Sequence, residues 1–262
     1  RALDIQTWQT RVGAKVLFVA APELPMLDLR VTFAAGSSHD GEQPGLAMLT
    51  NAMLNEGIAG KDVTAIAEGF ENLGAEFGNG AYRDMAVASL RSLSDPQQRT
   101  PALQLFVQVI GQPSFPADSL ARIQNQMLAS FEQQKQNPGK LAALALFDNL
   151  YGSHPYAHPS EGNAQSIPQI TIKDLQAFHS KAYSAGNAVI ALLGMYARAR
   201  PEPQGVNNVD DWAAFLWASR LAYADRDYYM TAEEACAYGL VDKVMENKST
   251  TPDPDEKKKK DS

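Results

Sequence analysis

Over residues 27–33, Leu27, Leu29, Val31 and Phe33 alternate with Asp28, Arg30 and Thr32. A period of two predicts a strand with one buried face and one wetter face, as in an antiparallel sheet. The apolar run "KVLFVA" (15–20) predicts a strand before it, and "DMAVASLRSL" (84–93) a third strand of the alternating kind. "NAVIALLG" (187–194) is apolar throughout and predicts a strand near the centre of its sheet.

Between the strands the period lengthens to that of a helix. "GLAMLTNAMLNEG" (45–57) sets Leu46, Leu49, Met53 and Leu54 on one side, with Gly57 as its expected stop. "DVTAIAEGFENLG" (62–74) repeats the design with Ile66, Phe70 and Leu73. In "FPADSLARIQNQMLASFEQQKQNPG" (115–139), Pro116 suits a first helical position and Pro138–Gly139 is the expected end. "KLAALALFDNLYG" (140–152) and "TIKDLQAFHSKAYS" (171–184) complete the set, the latter with Thr171 as N-cap. Early strands in hairpin order and helices in pairs lack a regular βαβ rhythm. The pattern predicts an α+β fold: one mostly antiparallel sheet covered by helices.

The pattern changes near residue 195. "MYARARPEPQGVNN" reads as a linker (195–210), and an apolar and aromatic stretch follows it (211–246), expected to be short, helical or irregular. The last residues, 247–262, are charged and proline-bearing with little to bury, which predicts disorder. The expected domain is therefore residues 1–194.

Composition narrows the function. A formal charge of −7 lacks the basic face that nucleic acid demands. The longest apolar run is strand-sized, so no membrane span is expected. Cys236 is the single cysteine, which rules out an internal disulfide and a thiolate cluster. Of the four histidines, His154 and His158 are each followed directly by a proline, which keeps the pair off a regular helix and predicts a turn. His39 reads as a turn residue and His179 as a half-buried packing residue on its helix. Glu56, Glu68, Glu71 and Glu76 read as solvated helix charges.

The landmarks "ELPMLDLRVTFAAGSSHDGEQPGLAMLTNAML", "ENLGAEFGNGAYRDMAVASLRSL", "SFPADSLARIQNQML" and "YGSHPYAHPSEGNAQSIPQI" follow one another through residues 1–194. In order and spacing they resemble the N-terminal half-domain of the pitrilysin/insulinase-type zinc peptidases, the inverzincins. In that family the helix here written "GLAMLTNAML" carries H-x-x-E-H, two zinc-binding histidines flanking the glutamate that activates water. The resemblance lays the first histidine on Met48, the glutamate on Asn51 and the second histidine on Ala52. A third, downstream glutamate ligand falls on or next to Ala129. Thioether, amide and methyl groups replace the ligands and the base, so the resemblance implies neither metal nor cofactor. It implies a non-catalytic homologue in the periplasm or cell envelope, pairing with a zinc-bearing subunit and holding extended peptides, with Glu71 and Glu76 within reach of the peptide.

A second resemblance lies at "ADRDYYMTAEEACAYGLVDKVM" (224–245), which is similar to the end of the Clp protease proteolytic subunit. There the triad aspartate would fall on Asp227, without a serine or histidine segment upstream to complete it. The chain therefore reads as composite. Two other functions stay open at this point: an active peptidase, with rewired metal ligands or a serine site around Asp227, and a purely structural assembly domain.

Overall fold

The structure is a computed structural model that describes residues 4–10, 13–21 and 24–194. The expected linker, the Clp-like stretch with Asp227 and the charged tail lie outside the described residues. A six-stranded sheet carries the fold. Its order is β1 (Gln6–Gln9), β2 (Lys15–Ala20), β8 (Ala188–Gly194), β3 (Met26–Phe33), β7 (Ala86–Leu93) and β6 (Glu76–Ala81). Every neighbouring pair is antiparallel except β2 with β8. The mostly antiparallel sheet and its covering helices are the α+β arrangement the pattern predicts, and the apolar β8 is indeed central.

The alternation in β3 separates two environments. Leu27, Leu29, Val31 and Phe33 are at most 1% exposed, while Arg30 on the opposite face is open to solvent. Asp28 on that outer face pairs with Arg91 of β7, its direct partner in register, at 2.7 Å. The apolar face meets α1 (Leu46–Ala52), α2 (Val63–Glu71), α3 (Pro96–Gly111) and α6 (Ile172–Ala182) in one core. Phe106 of α3, fully buried, stands 5.9 Å from Phe77 of β6 in an edge-to-face contact, and Phe70 of α2 stacks on Phe77 at 5.4 Å. No helix among the described residues is long and apolar enough to cross a membrane.

Caps explain most helix boundaries. Thr171 and Asp174 form a reciprocal capping box at the start of α6, as its sequence position suggests. Three expected boundaries move. Pro138 does not end the preceding helix; it opens α5 (Pro138–Tyr151), where Asn137 caps the Lys140 N–H at 3.1 Å. Proline lacks the N–H that a first turn leaves unsatisfied anyway, so it suits that position. Pro116 lies just outside α4 (Ala117–Gln134) with extended backbone. Nor does Gly57 stop α1. It belongs to β4 (Gly57–Ile58), paired with β5 (Lys61–Asp62). A Cβ on Gly57 would come within 2.7 Å of Ser114 and Pro116, so it is close packing that requires glycine there.

Candidate functional site

The site is built around α1. Its chain enters through Gly45, whose φ of 94° lies in the left-handed region. Asp40, 3% exposed, reaches across the amino end of α1 and accepts the N–H of Gly45 at 2.8 Å and of Ala47 at 2.7 Å. A buried carboxylate suits this place, because free N–H groups and the helix dipole both favour negative charge. Burial nevertheless prevails and lifts the Asp40 carboxyl to about 6, against the pull of those two N–H groups and of His158.

Residues 157–167 lie over the same helix end. Ser166 Oγ donates to the Pro44 carbonyl at 2.7 Å, and Ser37 Oγ bonds Ser160 Oγ at 3.1 Å. Gln124 of α4 ties the far side of this loop through the carbonyls of Ile167 and Ile170. The loop is seated so closely that a Cβ on Gly162 would stand 2.4 Å from the Pro44 carbonyl oxygen.

The four positions singled out in the sequence occupy different surroundings. Met48 and Ala52 are half-buried on α1, Asn51 is 2% exposed, and Ala129 is exposed on α4. Asn51 Nδ2 donates to the Tyr183 hydroxyl at 3.1 Å and to the Val87 carbonyl at 3.3 Å, so its amide is committed inward. Burial raises the Tyr183 phenol well above the ordinary tyrosine range. From β6, Asn79 Nδ2 donates to the Asn51 carbonyl at 2.7 Å. Zinc takes imidazole nitrogen, carboxylate oxygen or thiolate sulfur, and these four side chains supply none of them. They do not fit the ion. Among the described residues, no group of three or more His, Cys, Asp or Glu side chains is placed to hold a metal.

The Asn51 network is structural, and its strength is measurable. Asn51→Leu leaves the buried Tyr183 hydroxyl without its donor and the Val87 carbonyl with only its sheet partner, at an expected cost of about 1–3 kcal/mol in urea unfolding. In the Tyr183→Phe background the same substitution costs less, since one of the abandoned partners is already gone.

Other candidate residues separate by place. His154 and His158 sit on turns after α5, as their prolines predict. His154 Nδ1 accepts the Tyr156 N–H at 3.1 Å, while His158 Nδ1 lies 4.0 Å from Asp40 Oδ2. Both border an open cleft of about 740 Å³. His39 is in a short turn with Ser38 Oγ 3.2 Å from its Nδ1. His179 packs between the rings of Phe115 and Tyr183, and its Nε2 lies 2.7 Å from the Ile110 carbonyl. Burial holds its imidazole below the usual range, against the opposing effect of that carbonyl. Glu68, Glu71 and Glu76 are exposed, but Glu56 is not a solvated helix charge. It is 8% exposed, lies beyond the end of α1 and is paired with Arg122 of α4.

A second pocket, of about 430 Å³, opens directly beside Met48. Ala81 of β6 and Leu144 and Phe147 of α5 form apolar walls, and Arg83, Lys140 and Glu161 bring charge. Lys140 Nζ meets Glu161 at 2.6 Å. Burial works to raise the Glu161 carboxyl, but the Lys140 hydrogen bond, a backbone hydrogen bond and the Lys140 and Arg83 charges together hold it below the usual range. Arg83 and Asn79 carry no motif that marks them in sequence; only the pairing of β6 with β7 and the seating of α1 bring them to the site.

The match to known proteins follows this architecture. The family model described as insulinase (peptidase family M16) matches residues 15–163, and the Clp protease model matches residues 219–248. A crystal structure described as a peptidase M16 inactive domain from Pseudomonas fluorescens is 62% identical, with a TM-score of 0.74, and the match covers 88% of this chain and 54% of that one. The non-peptidase homolog YmxG of Helicobacter pylori is 27% identical over 172 residues, 65% of this chain and 39% of its own. An uncharacterized zinc protease of Mycobacterium tuberculosis is 22% identical over 183 residues, 70% of this chain and 41% of its own. The chain thus spans about two fifths of the curated relatives' length and about half of the Pseudomonas chain. The model match extends over more than half of the residues, on the fold described above: the chain belongs to the insulinase family, peptidase family M16.

Proposed function

We propose that residues 1–194 are a zinc-less, non-catalytic half-domain of this family that pairs with a separate zinc-bearing subunit to enclose peptides. One observation carries the reading: Met48, Asn51 and Ala52 put a thioether, an inward-turned amide and a methyl group on α1, where the family resemblance puts ligands and base. The relatives described as an inactive domain and as a non-peptidase homologue support it. The same resemblance supports a periplasmic or envelope location. Peptide holding would use β6, the last strand of the sheet among the described residues, whose outer edge can accept an added strand through backbone groups alone.

The purified chain is expected to hold far less than one zinc per molecule by atomic absorption after a chelator wash, and to leave extended peptides uncleaved. Stoichiometric zinc, or hydrolysis that a chelator abolishes, overturns the non-catalytic assignment. Co-purification of an M16 subunit with an intact H-x-x-E-H helix supports the pairing. If instead the chain stays alone when mixed with such a subunit encoded beside it, the pairing is refuted.

A further inference from the structure

The pocket beside Met48 brings together an open strand edge, an apolar wall and an arginine that hydrogen-bonds no carboxylate. Among the described residues, β6 pairs with β7 alone. The Tyr82 N–H donates to the Met85 carbonyl at 2.8 Å in the β6–β7 turn, so in antiparallel alternation residues 78, 80 and 82 face β7. The backbone groups of Phe77, Asn79 and Ala81 therefore point to the free edge. Side chains of these same three residues lie on the helix side, as the Asn79 contact with Asn51 and the Phe77 contact with Phe106 show. A peptide strand laid on this edge turns every second side chain toward α1, and at the level of Ala81 that side chain meets the pocket.

The pocket's charges select what enters. Lys140 and Glu161 answer each other. Arg83 adds its charge to the field on Glu161 but hydrogen-bonds neither of them: Nη1 donates to the carbonyls of Tyr156 at 2.8 Å and His158 at 3.4 Å, and the guanidinium lies 4.4 Å over the Phe147 ring. All its hydrogen-bond and ring partners among the described residues are neutral, and with Lys140 it leaves the pocket an excess of positive charge over Glu161. Pinned by two carbonyls and a ring, Arg83 keeps Nε and Nη2 for a further acceptor, and a carboxylate matches that fork with two parallel hydrogen bonds.

We infer that this pocket is a specificity site for an acidic residue, glutamate above all, of an extended peptide added to β6. The glutamate methylenes lie along Met48 and Ala81, and its carboxylate is held by Arg83. This rests on the strand-addition reading of the preceding section.

Fluorescence anisotropy with the full chain tests it. The probes are labelled decapeptides of alternating valine and threonine carrying one central glutamate, glutamine or lysine. The glutamate peptide is expected to bind about tenfold tighter than the glutamine peptide, as one charge-assisted pair provides, and the lysine peptide weakest. Arg83→Gln removes the preference. Met48→Trp removes it too, by filling the pocket while leaving Arg83 in place, which guards against a folding defect in the first variant. Binding of the glutamate and glutamine peptides with equal affinity overturns the pocket and leaves strand addition standing. If none of the peptides binds, both fall.

Discussion

Gly162→Ala lowers the thermal unfolding midpoint by roughly 10 °C, a loss of about 3–4 kcal/mol. Two terms combine. Gly162 has a φ of 75°, where a side chain costs about 1–2 kcal/mol. The added Cβ also meets the Pro44 carbonyl oxygen at 2.4 Å and the Gly45 Cα at 3.0 Å, so the 157–167 loop must lift from the amino end of α1. Backbone cannot rotate out of the way as a flexible side chain can, and overpacking of this kind costs about 1–3 kcal/mol. Gly74→Ala supplies the comparison, since its φ of 60° carries the strain and nothing stands within 4 Å of the added carbon. It should lose only the strain. If the two variants melt together by circular dichroism, the tight seating of the loop is refuted.

The second large effect is a pH dependence. The Asp40 carboxyl rises from 3.8 to about 6 on folding, so between those values the native protein binds more protons than the unfolded chain. Stability from this group is then complete below about pH 3.8 and lost as pH rises through 6. The shift of about two units corresponds to about 3 kcal/mol. Asp40→Asn does not titrate and keeps one acceptor for the Gly45 and Ala47 N–H groups. From pH 8 to pH 3.5, urea unfolding should therefore move the difference between wild type and Asp40→Asn by about 3 kcal/mol in favour of wild type. A difference that stays constant over this range rules out a buried, burial-shifted Asp40.

Much of the architecture is legible from one-dimensional pattern. β3 reads directly from its alternation, because a pleated strand with one buried face leaves no other spacing for Leu27, Leu29, Val31 and Phe33. The Thr171 cap reads equally well, since side chain and N–H lie within three residues. α3 is the clearest omission. Its "PQQRTPALQLFVQVIG" carries Pro96 and Pro101, which read as breakers, yet Pro96 opens the helix and Pro101 removes a single hydrogen bond near its start. β1 and β6 escape as well: one is four residues long, and the other has glycines at 78 and 80 that blur its alternation.

By itself, the sequence determined which side chains α1 can offer. A methionine, an asparagine and an alanine have no electron pair suited to zinc wherever the helix lies, because ligand chemistry belongs to the side chain and not to its neighbours. Tertiary structure alone decided the rest of the site. Asp40 lies beneath the end of α1 because a loop folds back over it, Glu56 is buried against Arg122, and Arg83 is turned into a pocket beside Met48. These contacts join residues from five to more than a hundred positions apart, and their energies come from desolvation and close packing, which no local spacing encodes.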